Sequence, residues 1–377
     1  PFISLVHLLL QLAKRTLTNE GFMYLTQTLR RSALRRRSET VLVCDGKSLS
    51  WGNFENRCAR LAAGLVASGL EAGDRVAMLS HNCAEYFEFS FAVPWAGGVV
   101  VPLNNRLGSE ELRFILDDSG TRILIADVHF KAVIDGFLPQ LPNLEGVIYF
   151  DPEDGNSDYE VLIKGHQALQ DQQRGYEDAA GILYTSGTTG RPKGAVLSHR
   201  NLIANAMGAS LNSGLNEETV YLHATPLFHA AGASRVYSMI GAGTTNIILP
   251  TFDVEALLAA IEKHRVTALL LVPTMINRLV HHADLHKFDL SSLRNISYGA
   301  SPMPQTVLKK ALEELPHVSF TQAYGMTELS PAATFLEARY HVLEGPDAGR
   351  LPPAGKRFSM PMFALSTKTI GPWPTVK

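Results

Sequence analysis

Apolar positions along this chain fall into two alternating patterns. Short aliphatic runs at residues 75–80, 98–102, 122–126, 266–272, 295–298 and 318–323 have the length of buried strands. Between them, residues 84–95, 109–118, 253–264 and 304–315 carry helical spacing, with Leu257, Leu258 and Ile261 on one face of the third. Ser109 followed by Glu110 and Glu111 reads as a helix start. Strands that are apolar throughout, separated by helix-length segments, predict an α/β fold of mostly parallel strands covered by helices on both faces.

Two stretches break the pattern. Residues 151–176 are polar and read as a connection between subdomains. Residues 345–377 hold Pro346, Pro352, Pro353, Pro361, Pro372 and Pro374 with little periodicity, and read as an irregular tail. The expected organisation is a leader over 1–20, a first α/β subdomain over 21–176, a second over 177–344, and the tail.

Composition narrows the class. At 377 residues, with 46% apolar and 19% charged positions, the chain can bury its own cores and is not largely disordered. The net charge of −2 offers no global field for a nucleic-acid backbone, so no nucleic-acid partner is expected. Cys44, Cys58 and Cys83 are odd in number and lack CxxC spacing, which favours a reducing, cytoplasmic setting over a disulfide framework or a zinc site. Residues 1–40 carry seven Lys/Arg against Glu20 and Glu39. A solvated helix face is the preferred account; a mitochondrial transit segment or peripheral membrane contact is the alternative.

The chemistry concentrates at residues 182–198, ILYTSGTTGRPKGAVLS, where a strand runs into hydroxyls, glycines and one lysine. Glycines allow close backbone approach, amides and hydroxyls form an anion-binding concavity, and Lys193 adds a charge, a set suited to a polyphosphate. It is not the GxxxxGK[ST] loop. A second segment, QAYGMTE at 322–328, sets an aromatic, a hydroxyl and a carboxylate just after a strand. A carboxylate can hold Mg²⁺ on nucleotide phosphates. The cluster of His281, His282 and His286 has no HExxH pattern and reads as a helix end.

Residues 184–194 resemble the phosphate-binding motif of the AMP-forming adenylating superfamily, which includes acyl- and aryl-CoA synthetases. The likeness runs from about Gly21 to Thr334. It implies the large N-terminal domain of such enzymes, with two layered α/β subdomains. It also implies ATP, Mg²⁺ and CoA as cofactor and cosubstrates, and a fatty or aryl carboxylic acid as substrate. By this resemblance Thr185, Ser186, Gly187, Thr188, Thr189, Gly190 and Lys193 surround the phosphates. Gly299, Ala300 and Ser301 of YGASP line the adenine side, Tyr324 and Gly325 cover the base, Thr327 contacts the α-phosphate and Glu328 holds the metal. His229, in PLFHAAG at 226–232, faces the reacting carboxylate and positions it. Lys193, His229, Thr327 and Glu328 form the catalytic set. Ala230 and Ala231 stand where amino-acid-activating members carry an Asp, which turns the reading away from an ammonium-bearing substrate. The family's ribose Asp, hinge, C-terminal small domain and its lysine find no match here. The expectation is therefore an N-terminal portion with reduced or no turnover, the alternative being a binding module for nucleotide or acyl ligand.

Overall fold

In the computed structural model, which describes residues 23–151, 154–185 and 190–342, the apolar runs become two sheets. The strands are β1 (Thr40–Cys44), β2 (Lys47–Ser50), β3 (Arg75–Leu79), β4 (Val99–Pro102), β5 (Thr121–Asp127), β6 (Gly146–Phe150) and β7 (Ala179–Thr185), followed by β8 (Lys193–Ser198), β9 (Val220–His223), β10 (Thr245–Ile248), β11 (Ala268–Leu271), β12 (Asn295–Gly299), β13 (Ser319–Gly325) and β14 (Ala332–Leu336). One sheet runs β14-β13-β12-β11-β9-β10-β1-β2, the other β6-β5-β3-β4-β7-β8. Neighbours are parallel from β13 to β1 and from β6 to β7. The antiparallel strands β2, β14 and β8 lie at edges.

Alternation along the strands sets the layers. In β3, Val76 and Met78 enter a core shared with helices Leu25–Arg35, Trp51–Ala67, Ala84–Trp95, His199–Asn212 and Ala230–Ala242. Ala77 and Leu79 enter a second core against helices Ser109–Asp118 and Lys131–Phe137. In the larger sheet, Leu222, Leu269, Ile296 and Phe320 pack on helices Val254–His264, Pro273–Val280 and Gln305–Glu314. Its other face contributes Tyr221, Ala268 and Leu270 to a cluster with Met239 of helix Ala230–Ala242. The order is helix, sheet, helix, sheet, helix, so both sheets are covered twice, as their apolar runs require.

Sheet membership does not follow the chain. Strands β1 and β2 join the sheet built mainly from residues 220–336, because β1 continues the parallel order beside β10. The β7–β8 hairpin completes the sheet of residues 75–150 through β4. The sheets are thus not divided at 176/177. The leader 1–20 and the tail 345–377 lie outside the described residues. The basic run near residue 35 is a solvated face whose charges meet local acids: Arg35 reaches Glu217 at 3.0 Å, Arg36 reaches Glu39 at 2.5 Å and Arg37 reaches Glu55 at 3.8 Å.

The polar stretch 151–176 is more than a connection. It contains helix Asp158–Gly165, whose Tyr159 and Ile163 are buried one turn apart. Leu162 closes over Gly64 of helix Trp51–Ala67. The Tyr159 hydroxyl donates to Glu88 at 2.8 Å, and the Arg57 guanidinium bridges Glu88 and Glu160. Glu88 is 1% exposed, so its carboxylate depends on these partners. Arg57→Met leaves that charge buried and should destabilise the protein by about 3–5 kcal/mol, whereas Arg57→Met with Glu88→Leu should recover most of the loss. Urea unfolding of the three proteins checks this; equal stability of wild type and Arg57→Met refutes it.

Candidate active site

Strands β9, β11, β12 and β13 are parallel neighbours, so their C-terminal ends open on one edge of the sheet. From β9 the chain passes to β10 on one side and then crosses to β11 on the other. Such a switch leaves a crevice between the departing loops. A cavity of about 360 Å³ lies there. Its wall includes Thr225, Pro226 and His229 after β9, Val272 after β11, Gly299 and Ala300 at the end of β12, and Tyr324, Gly325, Met326 and Thr327 at the end of β13. Helix Ala230–Ala242 adds Ser234 and Arg235, and helix His199–Asn212 adds Asn205 and Ala209.

Two glycines let backbone approach backbone at this edge. A β-carbon on Gly299 would overlap the Ala323 carbonyl of the next strand, and one on Gly325 would overlap the carbonyl of Pro331. That Pro331 oxygen accepts the Met326 N–H at 3.0 Å, folding the Thr327–Leu329 turn back on β14. Asn205 braces the same turn from outside, its Nδ2 donating to Ala332 O at 2.7 Å and Leu329 O at 3.3 Å. Sequence reasoning passes over Asn205, since a single amide inside a helix carries no motif. Tyr324 keeps 47% of its surface exposed at the cavity wall.

The phosphate-loop residues are only partly within the described chain. Thr185 and Lys193 face each other at the end of the β7–β8 hairpin, followed and preceded by the loop. Ser186, Gly187, Thr188 and Thr189 lie outside the described residues. Gly190 and Lys193 are exposed, and β8 lies against the turn that bears Thr327 and Glu328. Glu328 stands exposed on that turn and Lys193 opens β8, while His229, Gly299, Ala300, Tyr324, Gly325 and Thr327 line the cavity itself. Ser301 and Glu328 are exposed beside it. Among the described residues no group of three metal-ligating side chains occurs. A lone carboxylate at the rim still fits Mg²⁺, which is commonly held by one or two carboxylates plus substrate phosphates. His281 caps the end of helix Pro273–Val280 and His286 pairs with Glu314 at 2.7 Å, so the histidine cluster is a helix end, as expected.

His229 precedes helix Ala230–Ala242, its carbonyl accepting Ala233 N–H at 2.8 Å and its ring 4.5 Å from that of Phe228. The imidazole keeps solvent contact through the cavity, yet partial enclosure and the nearby Arg106 charge hold its pKa below the usual range. It is thus poised as a neutral ring. His223 sits deeper, with Nε2 2.9 Å from Asn246 Oδ1, and burial lowers its pKa to about 4.

With this geometry in place, similarity to known proteins is informative. The sequence model of a family described as "AMP-binding enzyme" matches residues 29–363. Over 332 residues the chain is 37% identical to a feruloyl-CoA synthase of an Amycolatopsis species, covering 87% of this chain and 62% of that protein. It is 32% identical over 334 residues to the indoleacetate–CoA ligase of Aromatoleum aromaticum, covering 88% and 65%. The chain therefore spans less than two thirds of these relatives. Among solved structures it is similar to the inhibitor-bound N-terminal domain of FACL13 from Mycobacterium tuberculosis, with a TM-score of 0.79, 27% identity, and coverage of 84% of this chain and 79% of that one. ATP-bound MatB from Rhodopseudomonas palustris superposes with a TM-score of 0.76 at 29% identity, over 86% of this chain and 63% of that one.

The electrostatics of His229 can be measured directly. An NMR titration should give His229 a midpoint below that of an exposed histidine, and Arg106→Gln should raise it, since a removed cation no longer opposes protonation. An unchanged midpoint in Arg106→Gln would remove Arg106 from the account.

Proposed function

The chain belongs to the AMP-binding enzyme family, and from that premise we propose that it activates a carboxylic acid with ATP as part of an AMP-forming acid–CoA ligase. In the first step a carboxylate oxygen bonds to the α-phosphorus of ATP and pyrophosphate leaves. In the second, the thiol of CoA bonds to the acyl carbon and AMP leaves.

The observation that carries this reading is the meeting of His229, Gly299, Ala300, Tyr324 and Thr327 in one cavity, with Glu328 next in the chain to Thr327 and the β8 strand that Lys193 opens packed on the same turn. The adenine lies against Tyr324 and the close-packed backbone at Gly299 and Ala300. The phosphates extend toward Thr327 and Lys193, and Glu328 holds the Mg²⁺ that travels with them. Bound there, Mg²⁺ supplies positive charge against the phosphate oxygens. His229, neutral at pH 7, orients the acid by hydrogen bonding without adding charge next to the reacting carboxylate. Among the described residues no acidic side chain lines the cavity, which supports a fatty or aryl acid over an amino acid.

Acid-dependent exchange of labelled pyrophosphate into ATP tests the first step; no exchange with any acid in a broad aryl and alkyl panel, together with no ATP binding, refutes the reading. Lys193→Ala, by removing one charge-assisted hydrogen bond of about 1.5–3 kcal/mol, should weaken ATP·Mg binding roughly 10- to 150-fold in isothermal titration. Glu328→Gln should reduce the Mg²⁺ dependence of ATP binding and leave adenosine binding intact. Loss of both together would make Glu328 structural.

A further inference from the structure

Arg235 breaks the usual rule for buried charge. It sits in helix Ala230–Ala242 at 4% exposure and lines the cavity together with His229. Among the described residues no hydrogen bond or ion pair reaches its guanidinium, and Nη1 is buried without any partner. Its surroundings are otherwise aromatic, aliphatic or neutral polar, with Asn205, Thr225 and Ser234 on the same cavity wall. The cluster of Tyr221, Ala268, Leu270 and Met239 backs this part of the cavity, and the Tyr221 hydroxyl is buried and unpartnered as well. A guanidinium whose Nη1 is shut off from water with no counter-charge beside it gives up part of its hydration without a partner, which the fold alone does not explain. An anionic ligand group would supply what is missing, and a carboxylate matches the planar fork of the guanidinium.

The position along the helix says where that group would lie. Arg235 follows His229 by six residues, about 9 Å along a helix axis. Resting on the proposed activation of an acid at His229, we propose that Arg235 binds a second carboxylate at the far end of the substrate, so that the preferred acids are dicarboxylates activated at one end only. Tyr221 lies behind this wall, its buried hydroxyl within the influence of the Arg235 charge. The nearby His223 is kept neutral by burial and leaves the anion to Arg235.

Matched acids separate this from the ligase reading. Isothermal titration and pyrophosphate exchange would compare adipate with hexanoate, suberate with octanoate, and terephthalate with benzoate, on wild type, Arg235→Met and Arg235→Lys. A charge-assisted pair predicts a preference of about 10- to 100-fold for the dicarboxylate in wild type. Arg235→Met should abolish the preference while binding the monocarboxylate at least as well, and Arg235→Lys should keep part of it. Removing an unpaired buried charge does not endanger folding. Equal use of both members of each pair by wild type overturns the proposal and leaves the ligase reading standing. Equal loss of both acids in Arg235→Met also overturns it, since Arg235 would then serve the reacting end. Absence of ATP binding and exchange with every acid would fell the ligase reading, and this proposal with it.

Discussion

Helix Ala84–Trp95 has no polar face, and every residue from Tyr86 to Trp95 is buried. A helix of that kind is stable only with protein on all sides. Here one sheet lies on each side of it, and the other central helices fill the remaining space. That requirement for a filled middle layer ties the two sheets into one body and explains why strands from distant parts of the chain complete each other's sheets. It also bears on a carboxylate admitted there. Glu88 sits among apolar side chains, held by Arg57 and by the hydroxyl of Tyr159, so the polar segment after residue 151 is drawn in as a helix instead of running over the surface.

The candidate site depends on the same layer. Its rim is assembled from both sheets: Lys193 opens β8 of the six-stranded sheet, while Thr327 and Glu328 follow β13 of the eight-stranded one. The spacing between them is set by what packs between the sheets. Helix His199–Asn212, which directly follows β8, supplies Asn205 to the carbonyls of Leu329 and Ala332. The strand that Lys193 opens and the turn that carries Glu328 are thereby tied by one covalent stretch and one pair of hydrogen bonds. Such preorganisation matters because misplacement by about 1 Å can cost on the order of 10²-fold in rate.

Much of this was legible in the residues because it follows from local periodicity. The helix at 84–95 and the helix at 109–118 are found where spacing places them, and Leu257, Leu258 and Ile261 are fully buried on one face. Parallel order was legible too, since strands apolar on both faces have few other homes. The sheet partners of β1 and β7 were not, because pairing is decided by contacts across more than seventy residues and leaves no local mark. The helix at 158–165 was missed because its buried strip is only Tyr159 and Ile163, too short to outweigh polar neighbours. At the site, glycines and hydroxyls announce themselves by their density, whereas Asn205 acts alone and only tertiary structure reveals its partners.

Two arginines show how the same physics separates structure from function. Arg57 reaches the interior with two carboxylates around it, and its charge is used within the fold. Arg235 is more deeply buried and faces only aromatic, aliphatic and neutral polar neighbours. Around it stand Ala233 and Ser234, both small, and the buried Met239. The arginine among them changes the meaning of the space they leave. An apolar tunnel ends where hydrophobic surface ends, and it selects by length and width, with about 1–3 kcal/mol per methylene at most. A tunnel that ends on a desolvated cation selects by charge. It rejects an acid that leaves the guanidinium unpaired, because a buried group built to be bound penalises the ligand that fails to bind it. Specificity in this chain would then come less from the shape of the cavity than from a single charge that the fold leaves unsatisfied.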